Sequence, residues 1–412
     1  MDADRDVPVF MMKRIPFMAA VLVCAAGAVE PRFEAQVIDP AIGIGYGLAV
    51  GDVDGDEKPD ILLADAREIV WYRNPDWKKQ KIAGSLTKRD HVCIAARDVD
   101  GDGKVEVAVG AQWNPGETSN EAESGAVFYL QRPADGGDGL WTAVPLPHEP
   151  TVHRMGWVRN GDGKSCIIVV PLHGRGNKNG AGENGVRVHA FPFPDKPGDP
   201  AAWHPQLISD RQHITHNFDQ VAESGGDRIL VGSREGFLEA LPLGSGWETA
   251  LQMPADAPGV SVPFTGIGEI RFGPSLPGGA PNSVIAAIEP FHGPHLALYE
   301  KDAATRIWKR QVLDSSMNQG HALACGNLLG LPRPQIIAAW REPNAEGAFG
   351  IRLHWQEKPD QPWQKVWVAP ANTMACEDLK LADLDGDGRL DIIASGRSTK
   401  NVVIYWNRTV FP

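Results

Sequence analysis

Two sets of residues in this 412-residue chain could do chemistry. His91, His153, His216 (with His213 nearby) and His321 each stand just ahead of an apolar run. Trp113, His173 with Arg175, Arg234, His292 with His295, Trp340 with Arg341, and Arg397 each follow the next run. Neutral imidazoles can hold a transition metal such as Zn²⁺ or move protons. Guanidiniums bind carboxylates and carbonyls, and indoles stack on sugar rings. The second set is one loop written three times: Asp52-Val-Asp54-Gly-Asp56-Glu-Lys-Pro-Asp60, Asp98-Val-Asp100-Gly-Asp102-Gly-Lys-Val-Glu106, and Asp383-Leu-Asp385-Gly-Asp387-Gly-Arg-Leu-Asp391. Carboxylates at positions 1, 3, 5 and 9 of each loop offer hard oxygens to a structural Ca²⁺. An apolar strand-like run follows each loop, so these are not helix-flanked EF-hands.

The elements that must position these residues repeat. Seven segments open on an aromatic residue: Phe33, Trp77, Trp141, Trp203, Trp247, Trp308 and Trp363, spaced 44 to 64 residues apart. Such a period points to a propeller or solenoid. Three short apolar runs bounded by Gly, Pro, Asn and Asp precede each of the six Trp segments, as strands require. The last unit stops after its third run, while Phe33-Glu-Ala-Gln-Val-Ile38 is a spare fourth strand at the other end. The expected fold is all-β: a seven-bladed propeller of four-stranded blades over residues 32–412, its ring closed by strand 33–38 in the last blade.

Strand alternation then sorts the chemistry. The acidic loops join first to second strands and occupy one face. The starts of first strands and the ends of second strands occupy the other. Eight of the twelve His residues fall in the second set of positions. A hydrogen bond to a neighbouring loop accounts for any one of them, but not for their shared face. Metal binding is expected of His153, His216 and His321, acid–base work of His91 or His173, and anion stabilisation of Arg175. Substrate contacts are expected of Trp113, Arg234, His292, His295, Trp340, Arg341 and Arg397.

A net charge of −12 argues against nucleic acid as a partner, since binding it needs a basic stripe. Lys13-Arg14, the apolar run Ile15 to Val23 and Ala26-Gly27-Ala28 read as a signal peptide cleaved after Ala28, with translation starting at Met11 or Met12. The run is too short to span a bilayer, so a secreted or periplasmic monomer is expected. Cys93, Cys166, Cys325 and Cys376 lie in apolar runs and are expected as buried free thiols.

The Asp-x-Asp-Gly-Asp-Gly loops between short strands resemble FG-GAP/VCBS repeats, whose known folds are seven-bladed propellers. Pro150-Thr-Val-His-Arg-Met155, Pro171-Leu-His-Gly-Arg-Gly176, Gly320-His-Ala-Leu-Ala324 and Val70-Trp-Tyr-Arg-Asn-Pro75 look like the propeller domain of aldos-2-ulose dehydratase/isomerase and its bacterial relatives. That resemblance implies metal-dependent elimination of water from a keto-sugar. The expected function is a carbohydrate-active lyase or dehydratase working on a keto-sugar or oxidised glycoside. The alternative is a non-catalytic propeller that binds glycans or a protein.

Overall fold

The structure is a computed structural model that describes residues 29–134, 139–178, 181–273 and 282–411. The expected signal peptide lies outside the described residues. Seven antiparallel sheets follow one another along the chain. Blade 1 is Gly47–Gly51, Asp60–Ala64, Ile69–Arg73 and Lys78–Ala83. Blades 2 to 7 begin with inner strands Cys93–Arg97, Val152–Arg159, Thr215–Glu223, Ile270–Phe272, Gly320–Gly326 and Cys376–Ala382. Inner strands of successive blades pack side by side, and Cys376–Ala382 packs back on Gly47–Gly51 to close the ring.

Burial explains the sequence texture. A second or third strand is covered on both faces by neighbouring blades, so it reads as a continuous apolar run rather than an alternating one. Val284–Glu289, Gly350–Trp355 and Asp391–Gly396 are buried throughout. Fully burying each Ile or Leu here contributes about 1.5–3 kcal/mol. Outer strands such as Lys78–Ala83 are mostly exposed and charged. Phe33–Asp39 pairs antiparallel with Val402–Asn407, Phe33 opposite Asn407, and so supplies the fourth strand of blade 7.

Blade 5 departs from the plain pattern. Ala255–Asp256 adds a short parallel pair outside Trp308–Asp314. The cause is Arg310, a wholly buried guanidinium that must satisfy its donors. It donates to Glu289 Oε2 (2.6 and 2.8 Å), Asp256 Oδ1 (2.6 Å) and the Val262 carbonyl (2.8 Å), which folds the 255–262 segment onto the blade edge. The four thiols are free as expected, and burial pushes Cys93 and Cys166 up to about 12.

Asparagines stitch neighbouring blades. Asn74 Nδ2 donates to the Leu384 carbonyl of blade 7 (2.8 Å), and Asn407 Nδ2 to the Leu328 carbonyl of blade 6 (2.8 Å). The Asn74 side chain also donates to the Pro59 carbonyl (3.0 Å). An Asn74→Ala substitution strands these buried acceptors and should lower stability by about 1–3 kcal/mol. Chemical denaturation of both proteins measures the difference.

Candidate functional site

The site begins with a repeated irregularity. Four inner strands carry one residue more than their partners near their start. The extra positions are His153 in blade 3, His216-Asn217 against one residue in blade 4, His321 in blade 6 and Glu377 in blade 7. A bulge of this kind bends the strand and re-aims a side chain. In blade 5, Glu269 stands just ahead of Ile270–Phe272 in a comparable place.

The bulged imidazoles meet at the channel. The ring centroids of His153 and His216 lie 4.6 Å apart, those of His216 and His292 4.6 Å, those of His216 and His321 5.3 Å, and those of His292 and His321 4.8 Å. One ring nitrogen from each of His216, His292 and His321 lies within 4.8 Å of the others. Each blade fixes the imidazole of its neighbour. His153 Nδ1 donates to the His216 carbonyl (2.8 Å), and His321 Nδ1 to the Glu377 carbonyl (2.7 Å). Carbonyls only accept, so both rings carry their proton on Nδ1 and keep a lone pair on Nε2. His216 Nδ1 lies 3.1 Å from Glu269 Oε1, close but off-line, so neither atom has a formed hydrogen bond.

His292 Nε2 lies 2.8 Å from His216 Nε2. Without a proton on one of them, two lone pairs face each other, an arrangement that a shared cation resolves. Three neutral imidazoles are a donor set that a Zn²⁺-type centre uses. Burial, followed by repulsion from His216 and Arg341, lowers His292 to about 2. Burial and then Arg154 hold His153 well below the usual histidine range, and burial and then Arg341 do the same for His321. Burial opposes the Glu269 charge, but His216 and Arg271 outweigh it and keep the group anionic.

The rim is cationic and aromatic. Arg341 Nη1 and Arg397 Nη1 hold the two oxygens of Glu377 (2.6 and 2.9 Å), and Arg397 lies over the Tyr46 ring. Arg154 Nη1 donates to His153 Nε2 (3.1 Å), and Trp113 stacks on the His153 ring at 4.9 Å. Below the imidazoles the channel holds a cavity of about 510 Å³, lined by Arg154, Asn217, Asp219, Arg271, Asp378 and Lys380 among others.

The remaining expected residues sort differently. Of the three expected metal ligands, His216 and His321 converge with His292, while His153 has its Nε2 taken by Arg154. His91 donates through Nδ1 to the Asp65 carbonyl (2.8 Å) and accepts the Leu86 N–H on Nε2 (3.2 Å), so both nitrogens are committed to the fold. Arg175 is committed too, to Glu149 (2.7 Å) and Glu121. His173 is buried, with no partner at Nδ1. Trp340 is fully buried against Trp367 and presents no surface to a ligand, a correction to its expected substrate role. His295 bonds Ser315 (2.9 Å), and Arg234 lies 3.5 Å from Glu235. Sequence reasoning gave no role to Glu269, Glu377, Arg154 and Tyr46; aligning the blades at the start of the inner strand would have drawn out the first two.

The acidic loops sit at the far ends of the inner strands. Asp52, Asp54 and Asp60 bring one oxygen each within 4.8 Å, as do Asp98, Asp100 and Glu106, and Asp383, Asp385 and Asp391. Asp54 Oδ1 is buried without a partner, which fits a cation. The fifth-position acids depart from expectation. Asp56, Asp102 and Asp387 cap the backbone N–H of Lys58 (3.0 Å), Lys104 (2.8 Å) and Arg389 (2.9 Å) instead of joining the groups. Burial, with the neighbouring carboxylates, pushes Asp60 and Glu106 up to about 7 and Asp391 to about 6.

Residues 32–109 match the family model of the FG-GAP-like repeat, and residues 94–130 that of the FG-GAP repeat. The chain therefore carries FG-GAP repeats in a seven-bladed propeller. No curated protein matches it. Among solved structures, a chain of the mitotic checkpoint complex is similar at TM-score 0.55 and 11% identity, with 100% of each chain covered. BBS1N in complex with ARL6DN is similar at TM-score 0.52 and 14% identity, covering 93% of this chain and 98% of that one. The extracellular domain of BT4673 from B. thetaiotaomicron gives TM-score 0.51 and 9% identity over 90% of this chain and 39% of that one. These likenesses speak to the fold alone.

Glycine decides where His292 sits. A Cβ on Gly268 would lie 1.8 Å from the Phe291 carbonyl. Only glycine lets the 290–293 segment lie across the blade 5 inner strand and carry His292 into the channel. Gly268→Ala should lift that segment, withdraw His292 and cost about 1–3 kcal/mol. A crystal structure and a denaturation curve of the variant check both effects.

Proposed function

We propose that the chain is an exported carbohydrate-active lyase or dehydratase that eliminates across a keto-sugar or oxidised glycoside at the His- and Arg-lined mouth. The observation that carries this reading is the convergence of one nitrogen each from His216, His292 and His321 within 4.8 Å. These residues would hold a divalent transition metal, which when bound supplies Lewis-acid polarisation of a carbonyl. A carbonyl acidifies the neighbouring C–H, so the remaining needs are a base, an acid and a place for the sugar. Trp113 offers a stacking surface, and Arg154, Arg341 and Arg397 offer donors for substrate oxygens. With His91, Arg175 and both nitrogens of His153 tied up, proton transfer falls to His173, with its unpartnered Nδ1. The likeness in local phrases to aldos-2-ulose dehydratase/isomerase supports the same chemistry. The N-terminal leader supports export, and one similar structure is described as an extracellular domain. No helix of the described residues is long and apolar enough to cross a membrane.

The purified protein should carry one equivalent of transition metal and turn over 2-keto or 3-keto sugars, with His321→Ala lowering turnover about 100-fold or more. Metal-free protein, or turnover untouched by that substitution, removes the enzyme reading. The second reading is a non-catalytic glycan- or protein-binding propeller. It is favoured by the structural commitment of His91 and Arg175, two of the expected catalytic groups. Saturable glycan binding without turnover would decide for it.

We also infer structural Ca²⁺ in the three acidic loops. Folded Asp60 at about 7 stands above its ordinary 3.8, and Glu106 at about 7 above 4.5, so the ion-free fold binds extra protons between those values. Its stability is then fully present below about pH 4 as far as these groups are concerned and is lost as pH rises through 7. In chelator the melting temperature should be lower at pH 8 than at pH 5.5. At pH 8, Ca²⁺ at about 100 times its Kd should restore about 2.7 kcal/mol per loop. A Ca²⁺-independent melting curve would overturn the assignment.

A further inference from the structure

Glu269 is wholly buried, and its two oxygens lead different lives. Oε2 accepts from Asn217 Nδ2 (2.6 Å) and from Arg271 Nη2 (3.2 Å). Oε1 has no hydrogen bond and lies 3.1 Å from His216 Nδ1, which has none either. Arg271 meets the carboxylate through Oε2 and does not require Oε1. Arg271 Nη1 already donates to the carbonyls of Ile270 (2.6 Å) and Phe218 (3.4 Å). Two buried polar atoms facing each other without a bond are costly, and a small ring rotation would let them bond. His153 and His321 have their Nδ1 anchored by a carbonyl of a neighbouring blade, while His216 alone of these three has a carboxylate there.

We propose that Glu269 is the positioning residue of this centre: its carboxylate keeps the His216 proton on Nδ1 and turns the Nε2 lone pair towards His292 and His321. This rests on the metal-centre reading above. A carboxylate behind a ligating imidazole fixes both tautomer and ring angle and makes the ligand more basic. Asn217 and Arg271 hold the carboxylate from behind, so the chain Arg271–Glu269–His216 runs from the blade 5 inner strand to the blade 4 bulge.

The test is Zn²⁺ affinity of the full chain, by chelator competition in Ca²⁺-saturated buffer, together with the visible spectrum of the Co²⁺-loaded protein. Glu269→Gln keeps the shape but offers an N–H to Nδ1, which drives the proton onto Nε2. Zn²⁺ affinity should fall about 10- to 100-fold, and the Co²⁺ bands should shift, in protein that stays folded. Glu269→Asp keeps the charge beside Arg271 but withdraws the carboxylate by one methylene, and should weaken binding in the same direction; it carries the test if the Gln variant does not fold. Wild-type affinity and an unshifted Co²⁺ spectrum in either folded variant, while His216→Ala loses the metal, would overturn the role of Glu269 alone. If His216→Ala binds Zn²⁺ as wild type does, the centre itself is misassigned and the proposal falls with it.

Discussion

Around the channel mouth each imidazole is oriented by the blade beside it, not by its own. His153 of blade 3 is anchored by a carbonyl of blade 4, His216 of blade 4 faces the Glu269 carboxylate of blade 5, and His321 of blade 6 is anchored by a carbonyl of blade 7. The donor geometry is therefore a property of the closed ring. No single blade could hold it, since an isolated four-stranded sheet would leave the Nδ1 atoms to water. The bulges make this possible by spending one ladder position per strand to aim a side chain at the axis.

That arrangement places costly groups where the fold is tightest. Glu269, His216, His321 and Glu377 are all buried near the axis, and each needs a partner that the neighbouring strand must supply. Arg341 and Arg397 meet the Glu377 charge, and Arg271 with Asn217 meets that of Glu269. The opposite end of the inner strands solves a different problem. There the carboxylates of the acidic loops crowd together, and Asp56, Asp102 and Asp387 spend an oxygen on a turn N–H. Imidazoles gather at one mouth and carboxylates at the other because antiparallel strands reverse direction between them.

The blades were legible in the sequence because each outer strand is announced by an aromatic residue and each two-sided strand by an unbroken apolar run. Phe33 could be matched to the last blade by counting strands. The shared face of the histidines followed from alternation alone. Distances did not follow. His292 takes the place expected of His153 because Gly268 lacks a side chain and because Arg154 turns back on His153. Neither fact is visible in spacing. His91 and Arg175 stand at the expected loop positions, yet neighbouring carbonyls and carboxylates consume them. Trp340 ends a strand whose Trp340 side packs on the preceding blade and on Trp367, so its ring is buried. Glu269 carries no motif, and only its alignment with the bulged positions of other blades marks it.

The pairing of Phe33–Asp39 with Val402–Asn407 ties the earliest described strand to the latest. A ribosome makes the first of these segments hundreds of residues before its mate exists, so the toroid stays unsealed until that later strand has been made. Loop-closure entropy of that span must be met before the seventh sheet gains its border. A chain passing through a translocation pore unfolded would meet no obstacle from this, because nothing circular has formed that would have to be pulled through.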